Sequence, residues 1–423
     1  MRGQPSEMAW PFARIRPIVI AAGGTGGHFF PAETLASELV ARGHRIALMT
    51  DARSGGLKSD VFAGHETFVL RGAGIAGRGA WRGGQAALAL AVGTAQARGI
   101  LSTLGAAVVV GFGGYPCVAP VLASRMMLRR PAVVLHEQNA VLGRANRALA
   151  RFADRLALGM AATTRLPDAR KPLGFAGTAT VLTGNPVRPA VRALAGLGYT
   201  PPTVDGPVNL LVTGGSQGAR VFSDAVPQAV ALLPEGLRAR LRIVQQCRPE
   251  DLGRVRAAYA ALGVHAELAA FFPDMAVRLV AAHFVVARAG ASTVAELCAV
   301  GRPGLLVPLP GSIDQHQAHN AAGSGADVLR QDEFEANPQA LADALAARLP
   351  FPGLLAEKAQ RVARAGIPDA AARLANLVEH IAGSAAKSHL RFARAPQLAH
   401  ANQSPAGQPP PSLPTIDNLG VRA

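Results

Sequence analysis

The chain has 423 residues, of which 49% are hydrophobic and only 5% aromatic; that length suits two or three domains, and the Ala-, Val- and Leu-rich profile suits parallel strands under helices better than a β-sandwich. Its 43 basic and 27 acidic side chains give a formal net charge of +16, which favours anionic partners, but the arginines are scattered without dense runs or interleaved aromatics, so nucleic acid is not expected. Cys117, Cys247 and Cys298 form no Cys-x-x-Cys pair and argue for a reduced setting without structural zinc, no apolar run nears the roughly 20 residues of a membrane span, and the first residues lack an apolar signal core.

The first element is "IVIAAGGTGGHFFPAETLASEL", Ile18 to Leu39. Ile18 to Ile20 predict a buried strand, and Ala32, Leu35, Ala36 and Leu39 recur at helical spacing after Pro31, a favoured first helical residue. The glycines between them allow positive φ and close approach, and a helix N-terminus behind them offers free N–H groups to an anion, usually a phosphate. Neither common phosphate loop fits, because Phe29 stands where a third dinucleotide glycine is needed and no Gly-Lys-Ser/Thr follows. "RIALMTD" reads as the second strand; Asp51 at its end is either a ribose-binding acid or, more simply, the start of the next loop.

Farther along, "RGAGIAGRGAWRGG" places Ile75 and Trp81 among Arg71, Arg78 and Arg82. This is either a plain glycine-rich loop or a contact with anionic lipid headgroups. Val108 to Val110 then run into Gly111, Gly113 and Gly114, and "PAVVLHEQNAVLGRANR" runs into His136, Glu137, Gln138 and Asn139. Gly and Pro concentrate after Arg188, which predicts a domain seam. Past it, "VNLLVTGGSQGARVFSDAV" from Val208 repeats the strand, glycine loop and helix of the opening, so two doubly wound domains are expected. "HFVVARAGASTVAEL" and "RPGLLVPLPGSIDQHQAHNA" add further strand-to-loop junctions, and ligands of open α/β sheets bind beyond such strand ends. "IPDAAARLANLVEHIA" predicts a last packed helix, and from Ser384 the Pro-, Gln- and Ser-rich composition reads as a disordered tail.

Seven blocks in this order, "GGTGGHFFPA", "GFGGYP", "HEQNAVLGRANR", "GNPVR", "GGSQGAR", "RAGASTVAEL" and "DQHQAHNA", resemble the MurG family of N-acetylglucosaminyltransferases, with a match from about Ile18 to Gly383. The resemblance implies a GT-B fold of two Rossmann-like α/β domains with an interdomain cleft: an extension at 1–16, an N-terminal acceptor domain at 17–188, a C-terminal UDP-GlcNAc domain at 189–365, a helix at 366–383 returning to the first domain, and a tail at 384–423. It implies an inverting transfer of GlcNAc from UDP-GlcNAc to lipid I, giving lipid II, without a metal bridge or cofactor. The setting it implies is the cytoplasmic face of the inner membrane, against anionic inner-leaflet lipid and among cell-wall synthesis and division proteins.

The resemblance also assigns residues. Glu296 accepts hydrogen bonds from the uridine ribose, and Ser292 and Thr293 meet the diphosphate within the stretch Ala291, Ser292, Thr293, Val294, Ala295 and Glu296. The structural alternative for Thr293-x-x-Glu296 is a capping box. Ser216 reaches the sugar or phosphate, Arg188 supplies a cation near the seam unless it is an exposed linker arginine, Gln317 reads the GlcNAc hydroxyls, and the backbone of Phe272 faces the uracil. Thr25, Gly26, Gly27 and Asn139 are counted with the UDP-GlcNAc contacts, while Thr25 to Gly27 also shape the pocket for the lipid I diphosphate. Gly113, Gly114 and Tyr115 lie on the acceptor side. His28 is the expected base for the muramyl 4-hydroxyl, with Glu137 as the alternative. Cys117 departs from the family's usual small residue and reads as a packing side chain. A diacylglycerol-directed GT-B transferase and an NAD-binding module on the same strand-loop-helix units are the competing readings.

Overall fold

Strands such as Ile18–Ala21 and Val108–Gly111 are buried at every position, as expected where helices cover both faces of a parallel sheet. The computed structural model describes residues 16–24, 26–52, 59–71, 80–167, 178–215 and 218–393, with the backbone alone for 80–83 and 385–393. Seven parallel strands, Ile18–Ala21 (β1), Ile46–Asp51 (β2), Glu66–Leu70 (β3), Val108–Gly111 (β4), Ala132–Glu137 (β5), Arg155–Leu158 (β6) and Thr180–Leu182 (β7), form a sheet of order β3-β2-β1-β4-β5-β6-β7. Six more, Val208–Thr213 (β8), Leu241–Gln246 (β9), His265–Ala269 (β10), Phe284–Arg288 (β11), Gly304–Val307 (β12) and Asp327–Val328 (β13), form a second parallel sheet of order β10-β9-β8-β11-β12-β13. Each order reverses beside its first strand, at β1/β4 and at β8/β11. That leaves a crevice at the carboxyl ends where no crossover helix lies, and both glycine loops fall there.

The first helix begins at Gly26 and runs to Ala41, with Pro31 inside it. The sequence reading started it at Pro31. A proline one turn into a helix keeps a helical φ and forfeits a single backbone bond, so the element extends back to the glycines and carries His28 with it. On one face of the first sheet this helix packs with Leu374, Ala375, Val378 and Ile381 of the last helix, Ala370–Ala393, in a common core. The last helix is tied to the first domain by Glu379, which accepts from Arg42 at 2.8 Å and pairs with His44 at 2.7 Å. It continues ten residues into the stretch read as tail, because "SAAKSHLRFA" has no Gly or Pro to stop a helix. The opposite face is covered by the helices Ala80–Leu104 and Val118–Arg125. Gly84–Leu104 is long and apolar enough to cross a bilayer by length and composition, and it also packs on the sheet through Ala97 and Leu101.

Asp51 closes β2 and is buried. Cys117, Cys247 and Cys298 are all buried. The Cys117 thiol donates to the Gly114 carbonyl at 3.1 Å, and burial pushes its pKa up to about 12, so it acts as a packing group.

Candidate active site

A cleft of about 980 Å³ opens between the two glycine-bearing edges, lined from the first domain by Gly26, Gly27 and Phe30 and from the second by the loops after β8, β11 and β12. Its floor is the helix Ala291–Val300, whose N-cap is Gly290 and whose first turn has no side-chain cap. The free N–H groups and positive end of that helix therefore face the cleft. Ser292 lines the cleft, and its Oγ is buried without a hydrogen-bond partner. A serine in the first turn of a helix whose N-terminus lines a cleft suits an anionic ligand. Ser292→Ala should weaken binding of the cleft's anionic ligand several-fold, the loss of a hydrogen bond of about 1 kcal/mol, with no drop in Tm. Calorimetric titration against UDP-GlcNAc, with a melting curve beside it, checks both halves.

Glu296 lies one turn deeper and is engaged by Arg188, which donates from Nε at 2.6 Å and from Nη2 at 2.7 Å. The hydrogen bonds to Glu296 raise the Arg188 pKa. This bidentate pair excludes two dull alternatives: Arg188 is no free linker cation, and with Gly290 as N-cap no Thr293–Glu296 capping box forms. Each carboxylate oxygen keeps a second lone pair for a ligand hydroxyl. Gln317 also lines the cleft; its Oε1 accepts from the Leu309 N–H at 3.0 Å, which turns its amide donors away from the loop. Phe272 is buried in the wall under the Arg278 guanidinium, 4.3 Å from its ring centre. The loop after β8 approaches so closely that a Cβ on Gly214 would stand 2.2 Å from the Ala219 nitrogen, which only glycine tolerates.

On the opposite wall, the His28 ring lies against Gly113 and Gly114, at φ +81° and +69°, where a Cβ on Gly114 would come within 3.4 Å of it. His28 Nδ1 meets Gln138 Oε1 at 2.9 Å. Beside it Glu137, only 2% exposed, accepts four hydrogen bonds: from the Asn139 N–H and Nδ2 on Oε1, and from the Gly143 N–H and Asn146 Nδ2 on Oε2, at 2.8 to 3.1 Å. All of its strong acceptor positions are spent on the loop that follows β5, which removes the geometry a base needs. His136 is fully buried with Nε2 on the Gly184 carbonyl at 3.0 Å, and burial pushes its pKa down to about 4. Between that value and the unfolded value near 6.5 the unfolded chain binds the extra proton, so stability falls as pH drops through that window. An acid melting series should lose about 2 kcal/mol between pH 7 and pH 5 from this residue, and His136→Gln should flatten that slope.

The two walls are latched by Asn320, which is fully buried. It accepts from the Ala140 N–H at 2.8 Å and donates to Asn139 Oδ1 and the Ala289 carbonyl at 3.1 Å each. A second tie is Asp314, which pairs with Arg147 at 2.6 Å and Arg165 at 2.7 Å. Asp314 and Arg165 both hold positive φ, at 54° and 59°, a strained backbone kept by these cross-cleft contacts.

With this geometry in place, comparison with known proteins is decisive. Residues 18–158 match the glycosyltransferase family 28 N-terminal domain, and residues 209–374 match the family 28 C-terminal domain. A protein of Granulibacter bethesdensis named UDP-N-acetylglucosamine–N-acetylmuramyl-(pentapeptide) pyrophosphoryl-undecaprenol N-acetylglucosamine transferase is 57% identical over 386 residues, 90% of this chain and 96% of its own. One of the same name from Acidiphilium cryptum is 52% identical, over 86% of this chain and 97% of its own. The crystal structure of Acinetobacter baumannii MurG superposes with a TM-score of 0.69 at 26% identity, over 86% of this chain and 99% of its own. The chain belongs to the MurG family of glycosyltransferases.

The MurG-family positions expected from sequence divide by where the fold puts them. Gly26, Gly27, Arg188, Phe272, Ala291, Ser292, Thr293, Glu296 and Gln317 line one cleft. Val294 and Ala295 do not: successive helical residues turn by about 100°, which sends Val294 into the core and packs Ala295 against it. Asn139 is held between Glu137 and Asn320, so its side chain is a latch component and not a free nucleotide contact. Gly113 and Gly114 flank His28, and Tyr115 opens the following 3-10 turn. Thr25, Ser216 and the stretch 72–79 lie outside the described residues, as do the side chains of Trp81 and Arg82. Asn320 and Gln138 carried no role in the sequence reading. Both sit inside recognised blocks, "DQHQAHNA" and "HEQN", and the density of amide side chains in these two blocks was the available signal.

Proposed function

We propose that the chain transfers GlcNAc from UDP-GlcNAc to the 4-hydroxyl of MurNAc in undecaprenyl-pyrophosphate-linked MurNAc-pentapeptide, lipid I, giving lipid II. UDP-GlcNAc lies along the second domain, with its ribose hydroxyls on Glu296, its diphosphate at the N-terminus of the helix Ala291–Val300 with Ser292 and Thr293, and its sugar hydroxyls on Gln317. Lipid I enters from the first domain. His28 Nε2 takes the proton of the muramyl 4-hydroxyl, the oxygen attacks the anomeric carbon from the face opposite UDP, and the glycosidic bond to UDP breaks with inversion to a β-linkage. The negative charge gathering on the diphosphate is met by helix N–H groups already aimed at it, which lowers the barrier because no dipole must turn during the step. The observation that carries this reading is the unpartnered Ser292 hydroxyl at an uncapped helix N-terminus in the cleft, in a chain so similar to transferases of that name.

Purified protein given radiolabelled UDP-GlcNAc and lipid I in detergent should yield labelled lipid II. In a thermal-shift comparison, UDP-GlcNAc should stabilise the fold more than UDP-glucose, and NAD not at all. Stabilisation by NAD alone would overturn the assignment. The enzyme works at the cytoplasmic face of the inner membrane as a peripheral protein, near cell-wall synthesis and division proteins, with its contact on anionic lipid through the basic, glycine-rich stretch 71–84. Flotation with anionic liposomes should be lost on combining Trp81→Ala with Arg78→Glu and Arg82→Glu; unchanged flotation would remove that contact.

A further inference from the structure

The hydrogen bonds behind His28 form a chain whose proton positions are set from both ends. Gln138 is 1% exposed. Its Nε2 donates to the Phe112 carbonyl at 3.0 Å and faces His136 Nδ1 at 3.0 Å and the His136 carbonyl at 3.2 Å. Carbonyl oxygens only accept, so the NH₂ end of this amide must face them; the reverse orientation would press Oε1 against two other oxygens. Oε1 therefore points at His28, 2.9 Å from Nδ1. An amide oxygen cannot donate, so His28 Nδ1 must carry the hydrogen. In the neutral ring the lone pair is then on Nε2, for which the described residues supply no partner.

The far end is fixed the same way. The Gly184 carbonyl, 3.0 Å from His136 Nε2, requires a hydrogen there and leaves His136 Nδ1 as the acceptor for Gln138. His136 and Glu137 are the titratable groups packed around this chain. Burial keeps His136 neutral around neutral pH, and Glu137 is turned away from this chain onto its own four donors. Gly184 belongs to "GNPVR" at the seam between the domains, and there is no room for a side chain there: a Cβ would lie 2.7 Å from Ile367 and 2.9 Å from Ala370 at the start of the last helix. The chain is thereby anchored where the two domains and the last helix meet.

We infer that Gln138 is the positioning residue that holds His28 in its Nδ1–H tautomer, with Nε2 presented as the proton acceptor, and that His136 and the Gly184 carbonyl hold Gln138 in turn. Such control matters because a free imidazole prefers the opposite tautomer in water, and a base with its hydrogen on the wrong nitrogen cannot take a proton. The inference rests on the reading of His28 as the base, and the two fail differently in one set of measurements.

The direct measurement is ¹⁵N-histidine NMR of the full-length protein at pH 8, with the His28 signal identified by its loss in His28→Gln. A neutral ring protonated at Nδ1 is expected, and one protonated at Nε2 overturns the inference with no variant needed. Gln138→Met, similar in size but with no amide, should release the ring toward Nε2–H and lower kcat roughly 10-fold to 100-fold, with KM for both substrates unchanged. Gln138→Glu keeps an oxygen on Nδ1–H and, protonated on the oxygen that faces the Phe112 carbonyl, still donates there. It should hold the tautomer and restore most of the kcat lost in Gln138→Met. A merely structural role would not move the tautomer. If Gln138→Met shifts the tautomer while kcat stays as it was, the base assignment itself falls and takes this role with it. If the wild-type tautomer is wrong but His28→Ala still abolishes chemistry, only the role of Gln138 is lost.

Discussion

Replacing His28 with alanine should slow single-turnover transfer at saturating lipid I by about 100-fold to 10,000-fold, the usual contribution of a general base. The affinity for lipid I should change little, and the rising limb at low pH should vanish from the rate profile. The geometry supplies the reason. The ring sits at the start of the helix Gly26–Ala41, against two glycines whose missing side chains let it lie flat on the loop after β4, with Nδ1 committed to Gln138. A residue serving only to bind phosphate at the helix N-terminus would give the opposite result: weaker lipid I binding and a nearly normal chemical step. Rapid-quench kinetics over a lipid I titration separates the two.

Glu137→Ala should be the most destabilising single change around the site. It strands four donors, of which Asn146 is almost fully buried, and bonds to a charged acceptor lost together should cost about 4 to 5 kcal/mol. For a domain of this size that lowers Tm by about 10 °C or more. Glu137→Gln keeps one acceptor oxygen but opposes an NH₂ to two donors, so it should fall in between. At a permissive temperature the folded fraction of either variant should keep transfer within about tenfold of the parent, since the carboxylate touches no reacting atom in the proposed arrangement. Loss of turnover in Glu137→Gln at an unchanged Tm would return the base role to Glu137. Differential scanning fluorimetry and turnover on the same preparation decide it.

The substitutions at His28 and Glu137 thus have different predicted signatures, and the sequence could not have told the two candidate bases apart. A carboxylate next to a histidine looks like an acid–base pair when only spacing is visible. Whether its oxygens face a substrate or a loop depends on what comes within 3 Å of them. For Glu137 that is Gly143 and Asn146, six and nine residues away, brought round by the turn after β5. The same holds for Thr293-x-x-Glu296. Its spacing fits a capping box, yet the helix begins two residues earlier at Ala291 and Glu296 is claimed by Arg188, 108 residues back in the chain.

What the sequence determined by itself is the architecture. Unbroken runs of Val, Ile and Leu ending in glycines, each followed by helical spacing, leave little choice but parallel strands with loops at their carboxyl ends. Two such units and a Gly- and Pro-rich seam give two doubly wound halves, because these signals are local and each residue's neighbours in sequence suffice to read them. The ordered motif blocks determined the family for the same reason. Only the tertiary structure decided which polar groups are free and which are spent. The Arg188–Glu296 pair, the Asn139–Asn320 latch and the succession Gly184, His136, Gln138, His28 join residues up to about 180 positions apart. A hydrogen bond depends on distance and direction in space, and those are fixed by the packing of the two sheets and the last helix, which no local pattern encodes.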